Sequence, residues 1–380
     1  RWRRILSPSS EMELQVSYGR TDRRDVLLGE ARDTVQVDFQ HRFTLSPRHE
    51  ILWGLGYEFT TDQIDGTAIA TLNPDQRGTH LYSAFAQDEV TLAPDRLRLA
   101  LGSKFERNDY TGFEVQPSAR LLWTPYQRHG FWVSVARAVQ TPSRGYQDGR
   151  LNLAAFPGPN GLPVLAAFVG NRRLGSVDLL AYELGYRLQP TGRFSLDLAS
   201  FYNVYTNLVS IALDTPFPEA APAPLHVVVP AHLENLGHGR THGVEITGHW
   251  NPAERWKLSA GYTGFAGPPP SSPSTLPGLG TAQGGGESPG QQVHFRSYLD
   301  LTPSLQFDTA LYYVGSLPAL GIPSYTRLDA RLGWRVTPEL DLSLGLQNLL
   351  DDRHPEFISE ILTRQTEIGR SVYGRVTWRF

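Results

Sequence analysis

Apolar and polar residues alternate along most of this chain, and almost no stretch repeats its apolar residues with the period of a helix. In residues 325–336, YTRLDARLGWRV, every second residue from Leu328 to Val336 is apolar, and the positions between are mostly Arg or Asp. Residues 97–106, LRLALGSKFE, and 341–348, DLSLGLQN, follow the same pattern. Because successive side chains of a strand point to opposite faces, a period of two predicts strands with one apolar and one polar face. The chain is therefore predicted to be all-β.

Sixteen strands follow from this alternation, and residues 1–6 have the pattern of the end of one more. The predicted strands cover 11–20, 33–45, 50–63, 79–92, 96–108, 114–125, 130–138, 179–189, 193–211, 226–250, 256–264, 292–302, 305–314, 325–336, 341–348 and 371–380. No helical segment separates them, so an up-and-down meander with antiparallel neighbours is expected.

Short and long connections alternate between these strands. The short ones carry Pro and cover 7–10, 46–49, 93–96, 124–130, 189–193, 251–255, 302–305 and 337–340. The others, usually long, cover 21–32, 64–78, 109–113, 139–178, 212–225, 265–291, 315–324 and 349–370. A meander places all the short turns at one end and the long loops at the other, as in outer-membrane barrels with short periplasmic turns and long extracellular loops. The sequence thus predicts a transmembrane antiparallel β-barrel.

The tryptophans favour the same architecture. Trp123, Trp250, Trp256, Trp334 and Trp378 lie within a few residues of a short turn or of the C-terminus. Aromatic residues collect where the apolar band of a barrel meets the lipid headgroups. In the alternative, a soluble sandwich with these residues in its core, the alternation of loop lengths has no explanation.

The polar face of a barrel wall points into the lumen, the barrel interior. On the last strands this face is predicted to carry Arg327, Asp329, Arg331, Arg335 and Arg375. Such mixed charges suit either a water-filled channel or a wall packed against an internal plug.

The number of strands distinguishes these two interiors. Sixteen full strands and the partial one at the start make an odd total, whereas single-chain bacterial barrels close with even numbers of strands. Plugged transporters have about 22 strands. The chain also starts at Arg1 without the pattern of a signal peptide. We therefore expect residues 1–380 to be one domain, the C-terminal portion of a barrel of about 22 strands. Its first strands and an N-terminal plug are expected upstream.

Composition narrows the function classes. The net charge is -3 and RWRR at the start is the one basic run, so a nucleic-acid partner is not expected. The chain has no Cys, which rules out disulfides and thiolate metal sites. No apolar run approaches the ~20 residues of a transmembrane helix. No G-x-S-x-G motif is present, so a barrel hydrolase is a remote alternative, and we predict neither an enzyme nor a cofactor.

Several segments, taken in order, resemble the TonB-dependent receptors of Gram-negative outer membranes. They are HLYSAFAQDEV (80–90), LRLALGSKFERNDY (97–110), VQPSARLLWTP (115–125), FWVSVARAVQTPSR (131–144), LENLGHGRTHGVEI (233–246), LGLQNLLDDRHPEF (344–357) and the closing VTWRF. Each motif is weak alone, but the ordered set spans nearly the whole chain. The plug domain and TonB box of the family have no counterpart in these residues.

The resemblance implies a receptor in the outer membrane that imports a scarce nutrient, most often a ferric siderophore. Its implied partners are lipid and lipopolysaccharide, the ligand, and the TonB–ExbB–ExbD system acting through the region upstream. A passive 16-stranded diffusion porin is the main alternative. The terminal strand, with Trp378 and Phe380, resembles the aromatic ending that the barrel-assembly machinery recognises.

The loop 139–178 supplies the candidate ligand-binding residues, since receptors of this family use loop aromatics and Arg for anionic ligands. The candidates are Arg144, Tyr146, Arg172 and Arg173. The planar fork of Arg meets pairs of oxygen atoms bidentately, which suits a catecholate or carboxylate ligand. The alternatives are that these side chains bind lipopolysaccharide phosphates or only solvate the loop.

Two other features are predicted to have no ligand role. Five histidines lie between 226 and 249, but the haem-receptor boxes of the family match only as RAVQTPS and GNRRL, without a His between them. A metal or haem site is therefore not predicted, and surface histidines near a loop are the alternative. Residues 267–290, rich in Gly, Pro and Ser, are predicted to be a mobile extracellular loop.

Overall fold

Strands make up most of the described chain, residues 1–267, 286–357 and 366–380 of a computed structural model. In chain order they are β1 (Trp2–Ser7), β2 (Ser10–Arg24), β3 (Leu28–Ser46), β4 (His49–Gly66), β5 (Ala70–Leu72), β6 (Gln76–Ala93), β7 (Leu97–Asn108), β8 (Gly112–Tyr126), β9 (His129–Gln140), β10 (Gly149–Pro157), β11 (Pro163–Val169), β12 (Val177–Thr191), β13 (Phe194–Leu213), β14 (Phe217–Glu219), β15 (His226–Ala253), β16 (Trp256–Ala266), β17 (Gln291–Asp300), β18 (Leu305–Val314), β19 (Tyr325–Arg335), β20 (Leu340–Gln347), β21 (Arg353–His354), β22 (Ile368–Gly369) and β23 (Ser371–Trp378). The described helical segments are α1 (Arg144–Asp148) and single 3-10 turns at Pro159–Gly161 and Pro318–Leu320.

Seventeen of the described strands form one antiparallel wall in which each strand pairs with the next wall strand along the chain. They are β1, β2, β3, β4, β6, β7, β8, β9, β12, β13, β15, β16, β17, β18, β19, β20 and β23. The described pairings run from β1–β2 to β20–β23, and none of them joins β1 to β23. The predicted all-β meander is confirmed, including the strand that begins the chain.

The two ends of the wall differ as predicted, with Pro-bearing turns at one end and the remaining connections at the other. Two of the connections predicted at the loop end are shorter than expected. Residues 25–27 alone join β2 to β3, whose ladder extends to the pair Arg24 and Gly29, and residues 109–111 join β7 to β8. A hairpin that projects beyond the barrel has water on both faces, so its sequence loses the alternation before its hydrogen bonds end. The predicted loop 267–290 lies largely outside the described residues.

The two faces of the wall differ in chemistry. Val372, Val376 and Trp378 lie on the outward face of β23 and are 66%, 70% and 73% exposed. On the inward face, charges pair across strands: Arg331 Nη1 lies 2.6 Å from Asp308 Oδ2, its register partner on β18. An exposed apolar face and an internally paired polar face are the arrangement of a barrel in an apolar medium.

Large rings on the inward face lie flat over glycines of the neighbouring strand. Trp132 on β9 is opposite Gly185 on β12, and Tyr373 on β23 is opposite Gly345 on β20. A Cβ at Gly185 would lie 2.1 Å from the indole nitrogen, and one at Gly345 would lie 2.2 Å from the Tyr373 ring. These two glycines are therefore required by the close approach of a side chain.

The main cluster of buried apolar residues lies at the loop end of the barrel, where connections from several hairpins meet. Its buried members are Leu174, Val177, Leu208, Val209 and Leu233, and Phe168, Tyr205 and Ile211 pack against it. The loops therefore have a hydrophobic core of their own, which anchors them to the top of the wall.

Among the described residues, no helix has the length and hydropathy needed to cross a membrane.

Candidate functional site

A small sheet stands above the loop end of the wall and is built from segments predicted as loops. Strand β10 pairs with β5 on one side and with β11 on the other, and β11 runs parallel to the first residues of β15. Strand β14 pairs with the same part of β15, so this cap sheet joins the connections 64–78, 139–178 and 212–225. The predicted loop 139–178 is thus largely ordered as α1, β10 and β11. The apolar stretches LAAF (153–156) and VLAAF (164–168) are the signal from which these two strands could have been predicted.

A buried carboxylate, Asp148, ties two of these connections together. Its side chain is fully buried and lies 2.6 Å from Arg77 Nη1 and 2.8 Å from Arg172 Nε. Arg144, one turn earlier on α1, lies 3.6 Å from the same carboxylate and also pairs with Asp62. Two acidic and three basic side chains therefore form one ion-pair network between α1, β4, β6 and the segment that follows β11.

Backbone contacts reinforce this network. The amide of Asn73 donates to the carbonyl oxygen of Asp148 at 2.9 Å, and Arg172 Nη2 donates to the carbonyl oxygen of Asn73 at 2.7 Å. Ser143 caps the N-terminus of α1 by accepting from the amide of Tyr146. The helix is short, so these contacts and not helical propensity fix its position.

A second network holds the far edge of the cap sheet. Arg150 on β10 donates two hydrogen bonds to Glu219 on β14, at 2.8 and 2.6 Å. Glu219 also contacts Nε2 of the buried His226 at 3.1 Å. Hydrogen bonds from Arg150, with help from His226, hold the pKa of Glu219 below its ordinary value. The carboxylate is therefore ionised at neutral pH and links three segments of the cap.

The structure separates the four predicted ligand-binding residues into two kinds. Arg144 is buried and Arg172 is held by Asp148, so both guanidinium groups are engaged in the network. Burial lowers the pKa of Arg144. Tyr146 is 39% exposed, and Arg173 lines a cavity of about 230 Å³ between β11 and β15. A ligand-binding role for these residues stays a prediction.

The cavity beside Arg173 has a mixed lining. Asp214, Phe217 and His232 contribute to it, together with backbone of the β11 end. His232 is held by Glu234, whose carboxylate oxygen lies 2.8 Å from Nε2. The recess thus combines one guanidinium, one carboxylate and one aromatic ring, which suits a polar ligand with an apolar part.

The histidine-rich segment does not assemble a metal centre among the described residues, in which no group of three or more His, Asp or Glu side chains has suitable geometry. His226 is buried at the start of β15, within the cap sheet, which differs from the exposed position expected for it. Its partner Glu219 explains the difference, since burial of an imidazole requires a hydrogen-bonding partner.

The register of the last strands brings the five residues predicted to face the lumen onto one face of the wall. Arg327 pairs with Asp329 at 2.8 Å, and Arg335 lies 3.3 Å from Asp341. Arg331 pairs with Asp308 as described above. Arg375 stands opposite Ser343 on β20, with no ion pair among the described residues. Four of these charges are thus paired within or between neighbouring strands, and that the face they share lines the lumen stays a prediction.

The comparison with known families decides the identity of the fold. Residues 4–349 match the family model described as TonB dependent receptor-like, beta-barrel. The chain belongs to this family. No curated protein matches its sequence.

Solved structures of TonB-dependent receptors share this fold at low sequence identity. The siderophore receptor PirA from Acinetobacter baumannii is 15% identical, with a TM-score of 0.74 over 98% of this chain and 60% of that one. A mutant of the ferric enterobactin receptor PfeA from Pseudomonas aeruginosa, in complex with enterobactin, is 17% identical, with a TM-score of 0.73 over 99% and 61%. The copper transporter OprC is 14% identical, with a TM-score of 0.68 over 99% and 65%. The chain spans about three fifths of the length of the two siderophore receptors.

Membership in the TonB-dependent receptor family explains the exposed apolar face of the wall, because barrels of this family lie in the outer membrane of Gram-negative bacteria. Trp378 and Phe380 lie at the end with short turns, on the last wall strand and just after it. Both side chains are exposed. Their predicted role as an assembly signal stays a prediction.

Proposed function

We propose that this chain is the barrel portion of an outer-membrane receptor that imports a scarce nutrient by a TonB-dependent mechanism, with a ferric siderophore as the first candidate. The observation that carries the proposal is the family match over residues 4–349. The likeness to PirA and PfeA, which are named for siderophores, supports the choice of ligand class, although OprC, named for copper, has the same fold.

The remaining parts of such a receptor are proposed to lie upstream of Arg1. They are the first strands of a barrel of about 22 strands and a plug domain that fills the lumen. The solved receptors are longer than this chain by about two fifths of their length, which leaves room for both. TonB–ExbB–ExbD would act on that upstream region, and no covalent chemistry is required of the residues described here.

The cap sheet gives the proposed receptor its ligand surface. Arg144 and Arg172 are proposed to act by fixing α1 and the loop around it, since their charges are already paired. Tyr146 and Arg173 are proposed to contact ligand, because both are exposed on the ordered cap. A preformed surface loses less conformational freedom on binding than a disordered loop does.

The test is a binding and growth-rescue panel of ferric siderophores, haem and cobalamin on cells whose only receptor is the full-length protein. We expect one ferric siderophore to support growth under iron limitation, and Arg173→Gln to weaken its binding by about tenfold, as for loss of one charge-assisted hydrogen bond. Arg24→Gln is the matched control, because Arg24 is exposed on the separate β2–β3 hairpin. The proposed ligand class is wrong if haem or cobalamin binds and no siderophore does.

A further inference from the structure

One recess of the cap sheet is lined by two opposite charges that do not pair with each other. It is the cavity of about 230 Å³ beside Arg173, which we call the Arg173 recess. Its permanently charged side chains are Arg173 and Asp214, and neither belongs to an ion pair among the described residues. The recess therefore presents one free guanidinium group and one free carboxylate.

The other charges of the same two connections are paired. Among the described residues of 149–173 and 212–225, Arg150 pairs with Glu219 and Arg172 pairs with Asp148. Arg173 and Asp214 are the two Lys, Arg, Asp or Glu residues that remain in these ranges. Since the two segments neutralise their other charges internally, the pair left over is available to a ligand, and both members line one recess.

Neighbouring contacts fix the position of Arg173. Arg172, before it, lies 2.8 Å from Asp148, and Leu174, after it, is 2% exposed and belongs to the buried cluster of the loops. The amide of Arg173 donates to Oδ1 of Asn171 at 3.0 Å. The backbone is therefore held while the side chain is exposed. A guanidinium group placed in this way can meet both oxygens of a carboxylate.

Asp214 is held in the recess by contacts of its own. Its amide donates to the carbonyl oxygen of Pro230 at 3.0 Å, which ties this residue to β15. Its Oδ1 accepts from the amide of Thr215 at 2.7 Å. Its Oδ2 has no hydrogen bond among the described residues, so this oxygen can accept from an ammonium group of a ligand.

The remaining lining adds an apolar contact and limits the size of the occupant. Phe217, on β14, is 41% exposed and contributes a ring to the recess. Pockets for complete small-molecule ligands usually have volumes of about 300–1,000 Å³. The Arg173 recess is smaller, so it fits one group of a larger ligand. That group needs an anionic end, a cationic end and an apolar part.

The two charges select against other classes of ligand. A simple anion such as phosphate would be repelled by Asp214. A metal cation would be repelled by Arg173, and the described part of the chain contains no group of three metal-binding side chains. A zwitterion satisfies both charges at once, and the ammonium and carboxylate groups of an amino acid are such a pair.

We propose that the Arg173 recess binds an amino-acid group of the imported nutrient, with its carboxylate on Arg173, its ammonium on Asp214 and its side chain against Phe217. This role of the recess rests on the proposed function, because it requires that the cap sheet is the ligand surface of an importing receptor. The nutrient then carries a free zwitterionic amino-acid group.

Phenylalanine and two analogues are the probes, with the full-length protein in detergent micelles. 3-Phenylpropionate lacks the ammonium group, and 2-phenylethylamine lacks the carboxylate. Ligand-observed NMR gives the three dissociation constants. Phenylalanine should bind with a dissociation constant on the order of 1 mM, as expected for a ligand of this size. Each analogue should bind at least about fivefold more weakly, because one charged contact is lost.

Two variants assign each charge to its partner. In Arg173→Gln, phenylalanine should bind no better than 2-phenylethylamine, because the carboxylate has lost its partner. In Asp214→Asn, phenylalanine should bind no better than 3-phenylpropionate, because the ammonium has lost its partner. Arg24→Gln and Asp22→Asn, on the separate β2–β3 hairpin, are the matched controls and should leave all three dissociation constants unchanged.

Three results would overturn the assignment. They are equal binding of the three probes, no binding of phenylalanine well above the millimolar range, and binding of 3-phenylpropionate as tight as that of phenylalanine, which would mean a site for anions alone. The probes contain no iron and the assay requires no TonB. Failure of siderophores to rescue growth would therefore leave this result standing, and failure of the probes to bind would leave the growth rescue standing.

Discussion

The ion-pair network around Asp148 makes a quantitative prediction about the cap sheet. Asp148→Asn keeps the size of the side chain but removes the charge that Arg77 and Arg172 share. We expect the cap sheet to open more readily while the barrel wall keeps its stability, because the network joins only the loop-end segments.

The magnitude follows from the exposure of each partner. Arg77 is 21% exposed and loses a charge-assisted hydrogen bond, which costs about 1.5–3 kcal/mol. Arg172 is 62% exposed, so its pair contributes at most about 1 kcal/mol. Arg144 keeps its partner Asp62. Together these losses should lower the free energy of opening of the cap sheet by about 2–4 kcal/mol, which raises the population of the open cap about 30-fold to 1,000-fold.

Hydrogen exchange of backbone amides measures this opening directly. Protection of β10 and β11 amides should fall by the stated factor in Asp148→Asn, while amides of β7 and β8 should keep theirs. Asp214→Asn is the control, since Asp214 is exposed on the same cap and has no ion pair among the described residues. It should change protection less than threefold, as surface substitutions do.

Two results would exclude this role of the network. If protection of β10 and β11 falls less than fivefold, the network does not hold the cap. If the wall amides lose protection equally, the cap and barrel unfold as one unit and the loop core is not independent.

Three further predictions concern other contacts. Arg150 lowers the pKa of Glu219 below its ordinary 4.5, so the ion pair between them is complete above pH 4.5 and is lost as the pH falls through the lowered value. Hydrogen exchange of the β14 amides should become faster in that pH range. Glu219→Gln should abolish this pH dependence. Gly345→Ala should lower the free energy of unfolding in urea by about 1–3 kcal/mol, because the new Cβ would meet the ring of Tyr373. Gly374→Ala is the control: its Cβ would lie in open space, so the free energy of unfolding should change by less than about 0.5 kcal/mol. Removal of Phe380 should lower severalfold the fraction of the protein that is assembled in the outer membrane, measured by heat-modifiable mobility in gels. If the shortened protein assembles fully, the terminal aromatic residue is not an assembly signal.

The wall could be predicted from the sequence because each of its strands has one face in apolar surroundings and one in the lumen. Alternation such as that of residues 325–336 survives only under this constraint, and it placed Arg327 and Arg375 on the same face as the structure does. The extent of β2 and β3 was underestimated, because their projecting ends are wet on both faces and carry no periodicity.

The cap sheet was harder to predict because its contacts are distant in sequence. Asp148 binds Arg77 across 71 positions, and Arg150 binds Glu219 across 69. Nothing in the local pattern of RGYQDGR distinguishes a buried network from a solvated loop. Arg144 was therefore predicted to meet ligand, while the structure shows its guanidinium beside Asp62.

The proposed energised receptor and a passive pore differ in whether uptake depends on TonB. Uptake of the ferric siderophore found in the growth-rescue panel should be measured, with radiolabelled iron, in cells with and without TonB that express the full-length protein. For the proposed receptor, uptake should be saturable and should fall to background without TonB. Uptake that persists without TonB and rises linearly with concentration would exclude the energised receptor and favour the diffusion porin.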